Sequence, residues 1–307
     1  MRSFNVDVAL LTDRRYQAEI AAEDDWYLDN ILQDDRLLQD SLRRLGLLSV
    51  RIDWARSGID WSQYQCAVFR TTWDYYDRFA EFTSWLHRVA AETHLCNNAD
   101  LIRWNADKHY LADLAARGVP VVESRFIERG AVVKLSDVLA ETGWSDAVVK
   151  PCVSGAARHT YRIGPANAAS VDTVVQQLLS DESMLLQPFQ RDVTEHGEDS
   201  LTVMNGKFTH AVRKLPKAGD FRVQDDHGGT VSAYSPTAKQ IELAERAVAA
   251  CRPTPTYARV DLIQDNQGEQ AVMELELIEP ELWLRYHPPA ADAFAGAIAH
   301  QIASRRK

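Results

Sequence analysis

The segment 257–285 constrains the fold most, because two apolar runs flank a cluster of turn-forming residues. The turn formers are Asp265-Asn266-Gln267-Gly268, and the runs on either side are rich in Val, Leu and Ile. Turn residues between two strand-forming runs are typical of a hairpin. The sequence therefore predicts an antiparallel β-hairpin closed by a four-residue loop.

The two-residue side-chain period of a strand sorts this hairpin into a charged face and an apolar face. If Gln264 pairs with Glu269, then Asp261 pairs with Val272, and Met273, Leu275 and Leu277 point into a core. The charged face then carries Arg259, Asp261, Glu274 and Glu276. Three carboxylates on one face repel one another unless a cation lies among them, and oxygen ligands of this kind suit Mg²⁺. A solvated acidic face is the alternative.

Length, charge and cysteine content exclude several classes of protein. The chain has 307 residues, enough for two or three subdomains, and its net charge is −10. An acidic chain argues against nucleic-acid and membrane-surface binding, because both need a basic excess. The four cysteines lie far apart without CxxC spacing, which favours free thiols over a zinc site or a disulfide framework. We therefore expect a cytoplasmic protein with neither a nucleic-acid nor a membrane partner.

The first hundred residues predict a small α/β domain, because strand and helix patterns alternate there. Apolar runs at 6–11, 48–54 and 66–70 predict strands, and helical spacing of apolar residues predicts helices at 26–45 and 79–91. A strand–helix–strand order favours a parallel sheet.

The turn after the third predicted strand carries polar groups at a place where open α/β sheets form ligand crevices. Arg70 followed by Thr72 and Asp74 would suit the carboxylate and amine of a small ligand. Alternatively, Thr72 or Asp74 caps a helix, and Trp73 and Tyr75 pack beneath it.

A second candidate site follows the predicted strand that ends at Lys150. The turn after it contains small residues, among them Ser154 and Gly155. Such a turn offers backbone N–H groups and a cation to phosphate oxygens, although plain hairpin linkers have the same composition. The motifs GxxxxGK[ST], GxGxxG, HExxH and GxSxG are absent from the sequence.

Other basic residues also lie at positions where a bound anion would stabilise their charge. Lys108 falls in the first turn of a helix predicted at 107–116, where the helix dipole disfavours a cation. An ordinary surface lysine is the alternative. The long polar segment 214–231 contains Lys214 and Arg222, and long ordered loops of this type are often functional.

Taken in series, these features resemble the ATP-grasp ligase superfamily, especially glutathione synthetase and the ribosomal-protein glutamate ligases. From about residue 98 onward they occur in one order: Lys108, Lys150-Pro151, Gln187-Pro188-Phe189, Phe221-Arg222, Asp261, and Glu274-Leu275-Glu276. The runs RTTWDY, RWNADKHYL, KAGDFRVQDDHGGTV and ELELIEP also resemble a subgroup that includes the cyclo-ligase of D-cycloserine biosynthesis.

The resemblance implies an α/β (α+β) chain with the ATP-grasp fold in three parts. A small N-terminal parallel α/β domain would span 1–100, and a central domain with an ATP lid would span 101–187. A C-terminal ATP-grasp domain with the metal-binding hairpin would span 188–307. The stretch 150–186 would close over ATP and exclude water.

Residue by residue, the resemblance also implies a set of roles. Lys108 and Lys150 match the family's phosphate-binding lysines, and Glu198 or Asp199 matches the acidic residue that takes the ribose. Lys214 and Arg222 match catalytic basic residues, with Arg222 nearest the acyl phosphate because its fork suits those oxygens. Glu276 stands where the family usually has Asn. The remaining ATP-binding candidates are Ser154, Gly155, Gln187, Pro188 and Phe189, and the metal candidates are Asp261, Glu274 and Glu276, for Mg²⁺ or alternatively Mn²⁺.

The implied reaction transfers a phosphoryl group from ATP to a carboxylate, after which an amine attacks the acyl phosphate to form an amide. The substrate would be an amino acid or small peptide, and its candidate binding residues are Arg70, Thr72, Asp74 and Arg285. An intramolecular cyclo-ligase would use the same groups. A nucleotide-binding module without turnover and a small-molecule kinase are the competing hypotheses, and a homo-oligomer is left open.

Overall fold

Three sheets organise the computed structural model, which describes residues 6–223 and 228–304. The first sheet is parallel with strand order β2-β1-β3-β4, as the alternating pattern predicts. Its strands are β1 (Val8–Thr12), β2 (Ser49–Asp53), β3 (Cys66–Thr71) and β4 (His94–Cys96), and the helices beside them are α1 (Trp26–Arg44) and α2 (Phe79–Glu92).

Helix α1 shows why the local sequence folds as predicted. The Asp25 side chain accepts a hydrogen bond from the Leu28 backbone N–H at 3.0 Å and caps the helix. Apolar residues at helical spacing are buried, which fixes the helix face that packs on the sheet. The helix ends before Gly46, whose φ of 76° lies in the left-handed region that glycine tolerates.

The second sheet is antiparallel with strand order β5-β8-β6-β7. Its strands are β5 (Arg125–Ile127), β6 (Ala147–Pro151), β7 (Tyr161–Ile163) and β8 (Met184–Pro188), and α5 (Leu135–Thr142) and α6 (Ala168–Leu178) share its core. Two short helices precede it, α3 (Ala99–Asn105) and α4 (Tyr110–Ala116). Both contribute to the core of the third sheet.

The third sheet has strand order β11-β10-β9-β12-β13. Its strands are β9 (Glu198–Met204), β10 (Lys207–Leu215), β11 (Thr230–Tyr234), β12 (Tyr257–Gln264) and β13 (Gln270–Glu276), with helices α7 (Asp192–Glu195), α8 (Ala238–Ala249) and α9 (Pro289–Ser304). Helix α9 packs against α1 and shares one hydrophobic core with the first sheet. The C-terminal helix therefore ties the first and third sheets together.

The β12–β13 hairpin is confirmed, but the predicted register is wrong. Gln264 pairs with Gln270 rather than Glu269, and Asp261 pairs with Glu274 rather than Val272. The ladder shifts between Asp261 and Leu262, which leaves Met273 as the extra residue of a bulge. Met273 consequently is only partly buried: it lines the cavity described below and packs against a small hydrophobic cluster beside it.

The position of Lys108 also differs from the prediction. Helix α4 begins at Tyr110, so Lys108 precedes the helix rather than lying in its first turn. The Lys108 backbone N–H donates to the Cys152 carbonyl at 2.9 Å, which places this lysine beside the turn that follows β6. Among the described helices, none is long and apolar enough to cross a membrane.

Candidate active site

A cavity of about 300 Å³ lies where the three sheets meet. The first sheet and its loops contribute aromatic residues to the wall, and the second sheet contributes Lys150 and the turn after it. The β9, β10, β12 and β13 strands supply the charged side chains. Clefts between subdomains that gather convergent polar groups are the usual location of active sites.

The predicted charged face of the hairpin lines this cavity. Asp261 is 1% exposed and its carboxylate receives two hydrogen bonds of 2.9 Å from the Arg259 guanidinium. Lys214 Nζ lies 3.1 Å from the same carboxylate, and Ser200 Oγ donates to it at 2.6 Å. Arg259 also contacts Glu276. Because Arg259 and Lys214 flank the carboxylates, the face is a buried ion network rather than a solvated acidic surface.

Glu274 has its own basic partner. Lys108 Nζ lies 2.6 Å from Glu274 Oε1 and donates to the Ser154 carbonyl at 2.8 Å. The Lys108 ammonium therefore joins the hairpin to the turn after β6. Such a bridge places a phosphate-binding candidate beside a metal-binding candidate.

Burial and charge set the protonation of these carboxyls. Burial opposes ionisation of Asp261, but Arg259 and Lys214 hold the pKa of its carboxyl well below the usual range. Burial also opposes ionisation of Glu274, and the nearby Lys108 holds its pKa below the ordinary value. Burial raises the pKa of Glu276 to about 7, against the effect of Arg259. The basic residues thus keep Asp261 and Glu274 charged despite their burial, whereas burial dominates at Glu276.

Lys150 differs from the other lysines of the cavity. Within residues 6–223 and 228–304, its ammonium forms no ion pair, and burial together with the charge of Lys108 lowers its pKa, against the effect of Glu274. A partly buried cation without an anionic partner is costly. Lys150 is therefore suited to receive an anion from a ligand, such as a phosphate.

The turn after β6 closes one side of the cavity. Ser154 and Gly155 both line it, and Ser154 Oγ donates to the Arg158 carbonyl at 3.1 Å. A Cβ atom at Gly155 would lie 2.6 Å from Tyr76 Cε1. Because that distance is far below van der Waals contact, only glycine lets the turn approach Tyr76 so closely.

The end of β8 forms the neighbouring wall. Gln187, Pro188 and Phe189 line the cavity, and the Arg162 guanidinium carbon lies 3.6 Å from the centroid of the Phe189 ring. The Phe221 ring packs edge-on against Phe189, with centroids 6.0 Å apart. An apolar slot of this kind fits a planar ring.

Of the two acidic residues considered for the ribose, Glu198 faces the cavity. Its carboxylate contacts Lys214, and burial raises its pKa although Lys214 opposes this. The Asp199 carboxylate instead receives hydrogen bonds from Arg213 at 2.6 Å and from Gln240 at 2.7 Å. Neighbouring residues of a strand point to opposite faces.

Arg222 also lines the cavity. Its guanidinium donates to Asp220 at 2.7 Å through Nη2 and at 3.1 Å through Nε. The predicted loop 214–231 includes residues 224–227, which lie outside the described part of the chain. Lys214 and Arg222 thus reach the same cavity from β10 and from the segment after it.

The described residues that line the cavity do not include the four predicted substrate-binding residues, Arg70, Thr72, Asp74 and Arg285. Arg70 Nε donates to Asp35 at 2.9 Å, and the buried Thr72 is not among the described residues that line the cavity. Asp74 accepts hydrogen bonds from Trp54 and Arg78. Arg285 binds carboxylates of α1 and of its own segment. Arg70, Asp74 and Arg285 therefore have charge partners within the protein, although Arg70 Nη1 and Thr72 Oγ1 are buried without a hydrogen-bond partner in the described chain.

Other residues reach the cavity without having been assigned a role from the sequence. Arg259 lies two residues before Asp261 on the same strand face, so the hairpin pattern contained the signal for it. The aromatic residues carried no comparable signal, since large rings are most often core. The lining residues without an assigned role include Tyr16, Trp73, Tyr75, Tyr76, Arg259, Glu279 and Trp283.

Comparisons with known proteins match both parts of the chain. A family model described as the N-terminal domain of D-cycloserine synthetase DcsG matches residues 8–97. A second model, described as the ATP-grasp domain of prokaryotic glutathione synthetase, matches residues 127–273. The cycloserine biosynthesis protein DcsG of Streptomyces lavendulae is 34% identical over 285 residues, covering 86% of this chain and 92% of that protein.

Solved structures give the same result for the fold. The crystal structure of D-cycloserine synthetase DcsG superposes with a TM-score of 0.85 at 31% identity, covering 96% of this chain and 99% of that one. D-alanine–D-alanine ligase from Bacillus anthracis, solved with ATP, superposes with a TM-score of 0.66 at 14% identity, covering 98% of both chains. At that identity, the second match supports the ATP-grasp fold alone.

Proposed function

The chain belongs to the ATP-grasp ligases, ATP-dependent enzymes that work with a divalent metal and form amide bonds; on that premise we propose which amide it forms. We propose that it activates the carboxylate of a small amino-acid derivative and closes a ring onto a second amine of the same molecule. The observation that carries this proposal is the match of residues 8–97 to the N-terminal domain of a D-cycloserine synthetase. That part of the chain supplies the aromatic wall of the cavity.

The chemistry proceeds in two steps. A carboxylate oxygen of the substrate forms a bond to the γ-phosphorus of ATP, and ADP leaves with the electron pair of the broken P–O bond. The amine nitrogen then bonds to the carbonyl carbon, phosphate leaves with the C–O electron pair, and the nitrogen loses a proton. If the amine belongs to the same molecule, the product is a cyclic amide.

We assign the phosphate end of ATP to Lys108 and Lys150, together with the turn at Ser154 and Gly155. Lys150 supports this assignment because its ammonium has no ion-pair partner within the described chain. We assign the adenine to the slot formed by Gln187, Pro188 and Phe189, and the ribose to Glu198. The cavity-facing position of Glu198, against the outward position of Asp199, favours this choice.

The carboxylates of Asp261, Glu274 and Glu276 fit a divalent cation. They are hard oxygen donors on one face of the β12–β13 hairpin, and that face lines the cavity. Mg²⁺ prefers such ligands, and Mn²⁺ is the alternative. Each carboxylate already contacts Lys108, Lys214 or Arg259, so an ion would share it with a basic side chain. A metal held there would supply positive charge to the phosphate oxygens.

We assign catalysis to Lys214 and Arg222. Both are basic, both line the cavity, and Lys214 lies between Glu198 and Asp261. Positive groups fixed in a buried site stabilise the charge that develops during phosphoryl and acyl transfer. Arg222 has a planar fork of donors that matches the oxygens of an acyl phosphate.

We also propose that the chain divides into the three predicted domains. Each sheet falls within one of the ranges 1–100, 101–187 and 188–307, apart from Pro188 at the end of β8. We further propose a cytoplasmic enzyme that acts on small molecules and has neither a nucleic-acid nor a membrane partner, with a homo-oligomer left open. The described cysteines form no disulfide bond, which suits a reducing compartment.

The experiment is a search for the product with Mg-ATP and the linear acid obtained by hydrolysing cycloserine, β-aminooxyalanine. Ring closure predicts release of ADP and phosphate and a product lighter than one substrate molecule by one water. A product of two joined molecules, with or without other amino acids in the mixture, would instead make the enzyme an intermolecular ligase. ADP without any amide would indicate a kinase. The Glu274→Gln variant is the control that ties the release to this site.

A further inference from the structure

One carboxyl of the cavity, that of Glu279, forms no ion pair in the described part of the chain, although the charges of Lys108 and Arg259 act on it from farther away. Glu198, Asp261, Glu274 and Glu276 each contact a lysine or arginine, as described above, and Glu281 binds Arg285 at 2.6 Å. By contrast, the Glu279 side chain lines the cavity and forms no ion pair with any residue in the ranges 6–223 and 228–304. Burial without an ion pair favours the protonated acid, so a cationic ligand group beside Glu279 would favour its ionised form and be bound by it.

The surroundings of Glu279 belong to the aromatic end of the cavity. Trp73 Nε1 donates to the Glu279 main-chain carbonyl at 2.8 Å, which fixes this segment against the loop after β3. Burial raises the pKa of Glu279 well above its usual range, and the charge of Glu276 adds to the rise. The charge of the Glu279 carboxyl also raises the pKa of the Tyr75 and Tyr76 hydroxyls, in addition to the effect of their burial. The carboxyl therefore lies near both tyrosines.

A second observation in the same cavity also indicates a ligand. Trp283 is 2% exposed and lines the cavity, yet its indole N–H has no hydrogen-bond acceptor in the described protein. Buried donors are rarely left unpaired. The Trp283 ring lies 5.2 Å from the Arg259 guanidinium carbon and 5.8 Å from Lys214 Nζ, so it adjoins the lysine to which we assign catalysis.

We propose that Glu279 binds the α-ammonium group of the substrate, the amine that does not react. The inference rests on the proposed function, because it assumes an amino-acid substrate whose carboxylate reacts beside Lys214 and Arg222. An ammonium beside Glu279 would stay protonated and therefore could not attack the acyl phosphate. The second amine of the molecule would then be the nucleophile. Glu279 would thus act as a positioning and specificity residue.

The test compares two compounds that differ only in this ammonium. β-Aminooxyalanine carries it, whereas 3-aminooxypropionate has hydrogen in its place and keeps both the carboxylate and the second amine. Dissociation constants are measured by calorimetry with Mg²⁺ and a non-hydrolysable ATP analogue, and kcat and KM by ADP release. Both are measured for wild type and for Glu279→Gln. Glu269→Gln, on the exposed hairpin loop, makes the same change of charge away from the cavity.

We expect the wild-type protein to bind β-aminooxyalanine about 10- to 100-fold more tightly than 3-aminooxypropionate, the usual range for a hydrogen bond to a charged group. Glu279→Gln should lose most of this preference through weaker binding of β-aminooxyalanine alone, with KM rising more than kcat falls. Glu269→Gln should behave as wild type.

Three results would overturn the inference. The first is a wild-type protein that binds β-aminooxyalanine no more tightly than 3-aminooxypropionate, or that binds neither. The second is a Glu279→Gln variant that keeps the wild-type preference between the two compounds. The third is a Glu279→Gln variant that binds both compounds equally less tightly and needs more Mg²⁺. The last would make Glu279 part of the metal site. The proposed function is tested separately, because it fails if no ADP is released even though binding shows the ammonium preference.

Discussion

The contact between Gly155 and Tyr76 makes a sharp prediction about how the turn after β6 closes the cavity. A Cβ atom at Gly155 would lie 2.6 Å from Tyr76 Cε1 and 3.0 Å from Tyr76 Cδ1. Carbon atoms pack at about 3.5–4.0 Å. Gly155→Ala therefore requires the turn and the Tyr76 ring to move apart by roughly 1 Å at their nearest point.

The size of the effect follows from the cost of overpacking. Extra atoms in a well-packed region cost about 1–3 kcal/mol, which corresponds to a loss of about 5- to 150-fold in kcat/KM. The loss should fall on turnover rather than on folding, because Tyr76 is only partly buried and the turn can lift away when no ligand is bound. We expect the free energy of unfolding to change by less than about 1 kcal/mol.

The assay is ADP release with Mg-ATP and β-aminooxyalanine, each varied in turn, together with urea unfolding. Gly296→Ala is the matched control, because a Cβ atom at Gly296 would meet nothing within 4 Å. In a Tyr76→Ala background, Gly155→Ala should add no further loss, since the clashing ring is gone. Wild-type kinetics in Gly155→Ala, or the same loss with and without the Tyr76 ring, would refute the close approach.

Three other perturbations test the remaining parts of the site and fold. Lys150→Met should raise KM for ATP by about tenfold or more, because a charged hydrogen bond to phosphate is lost, and an unchanged KM would remove Lys150 from the phosphate site. Asn97→Ala should lower the free energy of unfolding by about 2–4 kcal/mol in urea, since Asn97 Nδ2 donates at 2.9 Å to the buried carbonyls of Tyr257 and Leu277; a loss below about 1 kcal/mol would contradict this. Without Mg²⁺, stability should fall as pH rises from 4.5 towards 7, because the pKa of Glu276 is about 7 in the folded protein against 4.5 ordinarily, so the folded state binds more protons in that window. Glu276→Gln should flatten this slope, and an unchanged slope would refute the assignment.

The charged face of the hairpin could be predicted even though its register could not. The register already differs by one residue at Gln264, which pairs with Gln270, and the bulge at Asp261 adds a second, so the partner of Asp261 is Glu274 rather than Val272. No local sequence pattern predicts such a bulge. The predicted face survives because the shift amounts to two residues, which is one full side-chain period of a strand. Met273 is the residue that the bulge moves from the predicted core to the cavity wall.

Basic residues were harder to assign than carboxylates. Arg70 and Lys150 both lie near the carboxyl end of a strand, and the sequence alone predicts a ligand-binding role for each. The difference is a partner: Asp35, distant in sequence, lies 2.9 Å from Arg70 Nε, whereas Lys150 has no such carboxylate in the described chain. A sequence pattern shows where a charge lies along an element but not whether the fold already neutralises it.

The substrate end of the cavity was beyond prediction for a related reason. Tyr16, Trp73 and Glu279 come from three separate segments, and only the packing of the third sheet against the first brings them to one wall. The Tyr16 and Trp73 rings lie edge-to-face with centroids 5.3 Å apart, so the partly buried Trp73 packs on another ring while it also faces the cavity. The reaction type depends on the charged residues of one hairpin and on two lysines, and the sequence pattern predicts these residues. Substrate choice depends on how whole elements pack, so two ligases with the same charged set differ in substrate through residues that resemble core.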